Sequence, residues 1–317
     1  MNNVKEFEHK PVMLEESLKQ LDVIEDGVYV DCTVGGAGHS AEILKMLSKN
    51  GTLICIDRDI NAVETSRKRL KEIDSQAKVI IVKDSYERII DILKENNIEK
   101  ADGILFDLGV SSHQLDEEER GFSYQKDAPL DMRMDNENQI TAHKIINNYS
   151  KKELETIIRD YGEERWAVRI VDFIINERNK NTINSTGELV KIIKAAIPKA
   201  ARRDGPHPAK RTFQAIRIAV NDELNILKKS LENAFDALKK ERRICVISFH
   251  SLEDRIVKRF FKSKEGRCTC PRDYPVCVCG NKKEAKIITK RPILPSENEV
   301  ESNPRARSAK MRVLLKI

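Results

Sequence analysis

The chain has 317 residues, enough for one large core or two ordinary ones, with 57 Lys plus Arg against 51 Asp plus Glu, 34% charged residues and 5% aromatic. A net charge of +6 permits nucleic-acid binding without demanding it, because local clustering matters more than the sum. No apolar run approaches the roughly 20 residues of a membrane span, and residues 1–10 lack the apolar core of a signal peptide, so a cytoplasmic protein with no membrane partner is expected.

Residues 13–21 suit a short amphipathic helix, and Gly27 opens the strand-forming run 28–32. After a glycine-rich turn, Ala41, Ile43, Leu44 and Leu47 recur at helical spacing, Asn50-Gly51 ends that helix, and 52–56 reads as a second strand. The alternation continues through a charged helix near 61–73, a strand at 78–82, a helix at 87–96 and a strand at 103–107. This rhythm predicts a mostly parallel sheet with helices on both faces.

Beyond Asp107 the rhythm stops, and about a hundred residues carry helical patterns and polar loops without a convincing strand. It returns with one long helix over 212–240, a strand over 243–249, a helix over 251–261 and strands over 286–290 and 310–316. The expected fold class is therefore α/β, a Rossmann-like sheet in two parts (1–112 and 217–317) around an all-helical insertion (113–216). No internal repeat or low-complexity tract is present, which argues against a solenoid.

The turn Val34-Gly35-Gly36-Ala37-Gly38-His39 lies between a predicted strand and a predicted helix, where small residues let the backbone approach a ligand and leave the helix N-terminus open. Asp57 ends the second predicted strand about 20 residues later, where a carboxylate can accept hydrogen bonds from ribose hydroxyls. The spacing reads G-G-x-G rather than the G-x-G-x-x-G of a pyrophosphate cradle, which suits a nucleoside without phosphate, such as S-adenosylmethionine, better than a nicotinamide dinucleotide. Tyr86 and Asp107 follow or end later strands and reach the same C-terminal edge, Tyr86 as a flank for an adenine and Asp107 for the donor's polar end. A tight βα connection with a solvent-facing Asp, a half-buried packing Tyr and a loop-capping Asp are the plain structural alternatives.

Several separated motifs occur in order: Asp107-Leu108-Gly109-Val110-Ser111-Ser112, Arg120-Gly121-Phe122-Ser123, Asp131-Met132-Arg133-Met134-Asp135, Tyr161-Gly162-Glu163-Glu164-Arg165, His207-Pro208-Ala209-Lys210-Arg211-Thr212-Phe213-Gln214-Ala215, Ile247-Ser248-Phe249-His250-Ser251-Leu252-Glu253-Asp254-Arg255 and Asn303-Pro304-Arg305-Ala306-Arg307-Ser308. Together they resemble the bacterial 16S ribosomal RNA cytosine N4-methyltransferases of the RsmH/MraW family, over nearly the whole chain. The resemblance implies a class I methyltransferase domain interrupted by a helical domain. It also implies S-adenosylmethionine as cofactor and, as substrate, a cytidine in the decoding region (P site) of 16S rRNA in the small ribosomal subunit. By the same resemblance the cofactor contacts are Ala37, Gly38, His39, Asp57, Tyr86, Asp107 and Gln114. Only Gly38, Asp57 and Asp107 would be chosen from the residues alone. Two departures stand out: relatives often have an aromatic and a basic residue where this chain has Val34 and Gly36, and many carry Phe in place of Tyr86.

The cytosine amine is a poor nucleophile because its lone pair is delocalised, so alignment with the donor methyl should supply most of the rate. Amino-methyltransferases commonly place an acidic or amide residue, two prolines and an aromatic after the fourth strand. Here Asp107 is followed by Leu108-Gly109-Val110-Ser111, which leaves the catalytic proton acceptor unassigned. His250 follows an apolar run and either touches the target base or caps the next helix.

Lys199, Arg202, Arg203, Lys210 and Arg211 form a basic loop suited to phosphate contacts, which Arg305, Arg307 and Lys310 would extend; a solvated charge run is the plain alternative. Cys268, Cys270, Cys277 and Cys279 have the chemistry for a tetrahedral zinc site or for four reduced thiols; the relatives lack them, and no metal site is assigned. The oligomeric state is not legible, with a homodimer as the candidate assembly. Two rivals remain: an NAD-dependent oxidoreductase, and an RNA-binding or assembly protein that keeps the fold without turnover.

Overall fold

A computed structural model of the chain describes residues 11–203, 205–266 and 282–317, so the four cysteines weighed for zinc lie outside the described residues. Two compact units are present, one formed by Met1–Gly109 with Leu224–Ile317 and the other by Val110–Glu223. Among the described residues, no helix is long and apolar enough to cross a membrane.

The first unit carries a seven-stranded sheet of β1 (Val28–Asp31), β2 (Thr52–Asp57), β3 (Lys78–Lys83), β4 (Ala101–Asp107), β5 (Leu238–Ser248), β6 (Ala285–Ile287) and β7 (Lys310–Lys316), in the order β3-β2-β1-β4-β5-β7-β6. Strands β1 to β5 run parallel, whereas β7 is antiparallel to both β5 and β6. The inner strands are apolar on both faces because helices cover both, and β4 is buried from Ala101 to Phe106. Gly103 has a packing reason: a Cβ there would stand 2.6 Å from the Tyr29 ring, whose hydroxyl accepts from the Ile24 amide at 2.8 Å. One buried cluster, with Val30, Ile54, Ile104, Phe106 and Val246, and a second, with Tyr29, Leu53, Leu105 and Val313, make up its core.

The predicted long helix over 212–240 is in fact two helices and the start of a strand. Lys210–Asn221 ends at Asp222 in the left-handed region (φ 49°), Glu223–Ala237 follows, and β5 begins at Leu238. The charged run 239–243 mimics a helix surface because these β5 residues are half-buried or exposed, and the ladder to β4 is irregular between Ala101 and Gly103.

The second unit is helical, with Ala142–Asn148, Lys151–Thr156, Ala167–Arg178, Thr186–Ala196 and Lys210–Asn221 around a core that includes Leu154, Ile170, Ile174, Leu189 and Ile216. Ser150 with Glu153, and Ser185 with Glu188, form capping boxes that satisfy two helix N-termini. Two of the sequence motifs meet here as scaffolding. Arg120 Nη2 donates to the carbonyls of Arg133 (2.8 Å) and Met134 (3.1 Å). Arg133 grips Asp131 with both arms of its guanidinium (2.8 and 2.7 Å), and Asn221 closes the knot by accepting from the Met134 amide and donating to the Met132 carbonyl.

Candidate functional site

The parallel order β3-β2-β1-β4-β5 brings the C-terminal ends of five strands to one edge, the edge where open α/β sheets bind ligands. Six of the seven expected cofactor residues lie along it: Ala37 in the turn after β1, Gly38 and His39 at the start of the helix that follows, Asp57 and Asp107 as the last residues of β2 and β4, and Tyr86 three residues beyond β3. Gln114 belongs to the helical unit, in the helix Ser112–Asp116, where its Oε1 accepts from the Ser111 amide at 3.0 Å.

Between β1 and the helix Gly38–Met46, Gly35 and Ala37 both take left-handed backbone (φ 47° and 59°), which turns the chain so that the first helical amides face the edge without a side-chain cap. A Cβ at Gly36 would meet nothing within 4 Å, so the turn has open space beside it, whereas one at Gly38 would stand 2.8 Å from the Pro11 ring. Asp57 ties this turn to β2: its Oδ2 accepts from the Gly35 amide and its Oδ1 from the Asp59 amide, each at 2.9 Å. Burial lifts its carboxyl to about 6, against these two hydrogen bonds. Tyr86 is half-buried, edge-on to Phe106 with ring centres 5.6 Å apart, and the Arg58 guanidinium lies 5.7 Å from its ring centre.

Asp107 sits at the end of β4, its amide donating to Thr33 Oγ1 at 2.7 Å. Its Oδ2 is 3.8 Å from His39 Nδ1, while the His39 Nε2 faces the Val12 carbonyl at 3.0 Å. Although 24% of the Asp107 side chain is open, its Oδ1 is enclosed and has no hydrogen-bond partner among the described residues. Desolvation first, then the carboxylates of Asp31 and Glu253, hold its carboxyl well above the usual carboxylate range.

Sequence reasoning passed over those two neighbours. Asp31 ends β1 almost fully buried, accepting from Ser40 Oγ (2.6 Å) and from the Thr33 amide (3.1 Å). The signal was available, since Asp31 closes an apolar strand just as Asp57 and Asp107 do. Glu253, also buried, accepts from the Phe249 (2.8 Å) and His250 (3.1 Å) amides, and His250 Nδ1 takes the Glu253 amide at 3.5 Å. His250 is thus the N-cap of the helix Ser251–Lys264, the capping role foreseen as one of its two readings.

A sheet of this order with a reversed seventh strand, carrying a glycine turn after β1 and carboxylates at the ends of β1, β2 and β4, defines a class I methyltransferase domain. The chain belongs to the MraW methylase family, whose model matches residues 6–317. A relative from Acetivibrio thermocellus, named ribosomal RNA small subunit methyltransferase H, is 60% identical over 98% of this chain and 100% of its own. Relatives of the same name from Clostridioides difficile (54%, 98% and 100%) and Halothermothrix orenii (55%, 97% and 98%) are similar over comparable lengths.

Proposed function

We propose that the chain transfers the methyl group of S-adenosylmethionine to the N4 amine of a specific cytidine in the decoding region (P site) of 16S rRNA in the small ribosomal subunit. The observation that carries the reading is full-length membership of a methylase family together with 60% identity to a relative named as a small-subunit rRNA methyltransferase. The cytidine, its N4 atom and the P site rest on the motif resemblance. A cytoplasmic location is part of the same proposal, since it follows from an rRNA substrate.

The strand-end edge fits this cofactor. Asp57 would receive the ribose hydroxyls, Tyr86 would flank the adenine, the Ala37-Gly38-His39 turn would lie along the methionine part, and Asp107 would face the cationic end; Gln114 is proposed as a contact on the motif resemblance alone. When bound, S-adenosylmethionine supplies an electrophilic methyl group. The protein's own task is to orient the target amine and to exclude water, because alignment of two reactants is the largest available contribution for a weak nucleophile. The basic loop with Lys199, Arg202, Arg203, Lys210 and Arg211 would hold RNA phosphates without reading sequence.

Incubating small subunits that lack the modification with methyl-labelled S-adenosylmethionine tests the reading. Label in 16S rRNA is expected; cofactor binding without label in rRNA would favour a non-catalytic RNA-binding role, and NADH binding in place of S-adenosylhomocysteine an oxidoreductase.

A further inference from the structure

Three carboxylates converge on the inner rim of the site, and two of them are fully engaged. Both Asp31 oxygens accept hydrogen bonds, from Ser40 and Thr33, and Glu253 Oε2 holds two backbone amides at the end of β5. Thr33 joins the first to the third, since its amide donates to Asp31 while its hydroxyl accepts from the Asp107 amide. The pairing of Asp107 with Ile247 sets the β4 and β5 ends side by side, and the Leu108 amide donates to the Ile247 carbonyl at 3.0 Å. Asp107 is the exception: its enclosed Oδ1 finds no hydrogen-bond partner among the described residues.

A buried acceptor left without a donor destabilises a fold, and a buried carboxylate among other carboxylates does so more. Such a group persists where a ligand satisfies it, and only a cationic ligand would also relieve the repulsion. Beyond desolvation, the charges acting on Asp107 are the carboxylates of Asp31 and Glu253, so the rim around it is negative.

We infer that this rim selects the cofactor by charge, binding the cationic sulfonium form more tightly than the neutral thioether product, with Asp107 as the contact and Glu253 as a positioning residue that strengthens it electrostatically. The inference rests on the S-adenosylmethionine reading of the site and adds to it a direction: loss of the methyl group removes the positive charge and so loosens the product. S-adenosylmethionine and S-adenosylhomocysteine share the adenosine and the amino-acid end. Their affinity ratio therefore isolates the effect of the charge at sulfur.

The experiment is calorimetric titration of the full chain, without RNA, with S-adenosylmethionine, S-adenosylhomocysteine and sinefungin, whose extra amine is cationic near the sulfonium position. Wild-type protein is expected to bind the two cationic ligands roughly tenfold more tightly than the thioether, the size of one partly screened charge contact. Asp107→Asn should bring the ratio close to one. Glu253→Gln, which keeps an oxygen for the Phe249 and His250 amides, should lower the ratio by about threefold while leaving thioether affinity unchanged; a purely structural role for Glu253 would weaken all three ligands alike. Equal wild-type affinities for charged and neutral ligands, or a ratio untouched by both substitutions, would overturn the inference while leaving the cofactor reading intact. Failure of all three ligands to bind the wild type would instead overturn the cofactor reading. Should a variant not fold, the position of sinefungin beside one natural ligand or the other in the wild type still decides.

Discussion

Replacing Asp107 with asparagine should stabilise the protein while weakening its hold on S-adenosylmethionine. In the cofactor-free chain the Asp107 carboxyl is desolvated, its Oδ1 has no hydrogen-bond partner among the described residues, and Asp31 and Glu253 add like charge. An unsatisfied buried polar group costs about 1–3 kcal/mol, and more when charged, whereas an amide of the same shape brings no charge and offers N–H donors to the surrounding carboxylates. Allowing for the 24% of the side chain that water still reaches, we expect Asp107→Asn to gain about 1–2 kcal/mol at pH 8. At roughly 2–4 °C per kcal/mol that is a rise of several degrees in Tm. The folded-state pKa is raised, so between the unfolded value near 4 and the folded one the native protein holds the extra proton and its stability falls as pH rises. The gain from Asn must therefore vanish toward pH 4 and grow as pH rises. Thermal melts of both proteins across that range, without cofactor, read this directly. A variant less stable than wild type at pH 8, or a gain that does not change with pH, would refute the reasoning. Saturating S-adenosylmethionine should largely cancel the gain, because a ligand held about tenfold more tightly stabilises the wild type by about 1.4 kcal/mol more than the variant.

Asp57 makes a second pH prediction: with its carboxyl lifted to about 6, protonation below that pH removes a hydrogen-bond acceptor, so S-adenosylhomocysteine affinity should fall as pH drops from 7 to 5. Titration at those pH values checks it, and Asp57→Asn should bind weakly with no such slope. Gly121→Ala should cost the helical unit about 2–3 kcal/mol, because its φ is +68° and the new Cβ would collide with the Pro129 carbonyl; chemical denaturation measures the loss. Arg133→Lys should destabilise by about 1–2 kcal/mol, since an ammonium cannot reproduce the two-armed grip on Asp131 or reach the carbonyls of Asn136 and Asn138 as well; a midpoint unchanged in the same denaturation would contradict the knot described above.

The strands of the first unit were legible because each is an apolar run ended by a charge or a turn, and that pattern located Asp57 and Asp107 at a common edge. Asp31 repeats the pattern less visibly, because the run 28–32 continues to the apolar Cys32 and so sets the carboxylate inside the predicted strand rather than at its end. Glu253 was hidden for another reason: its place depends on a helix cap that folds it back onto two amides, and nothing in its spacing distinguishes that from an exposed helical glutamate. The break at Asp222 was invisible because neither glycine nor proline marks it, and tertiary packing imposes the left-handed residue. Likewise the Arg120 and Asp131 motifs carry the residue types of an active site, yet their charges are spent on holding loops together.

The most direct test of the account is the identity of the product: small subunits lacking the modification, treated with this protein and S-adenosylmethionine, digested to nucleosides and fragments, and mapped by mass spectrometry. The account predicts N4-methylcytidine at one decoding-region position, formed more slowly at sub-saturating S-adenosylmethionine when Asp107→Asn replaces the wild type. Methylation of another base or atom, or of a cytidine outside the decoding region, would contradict it.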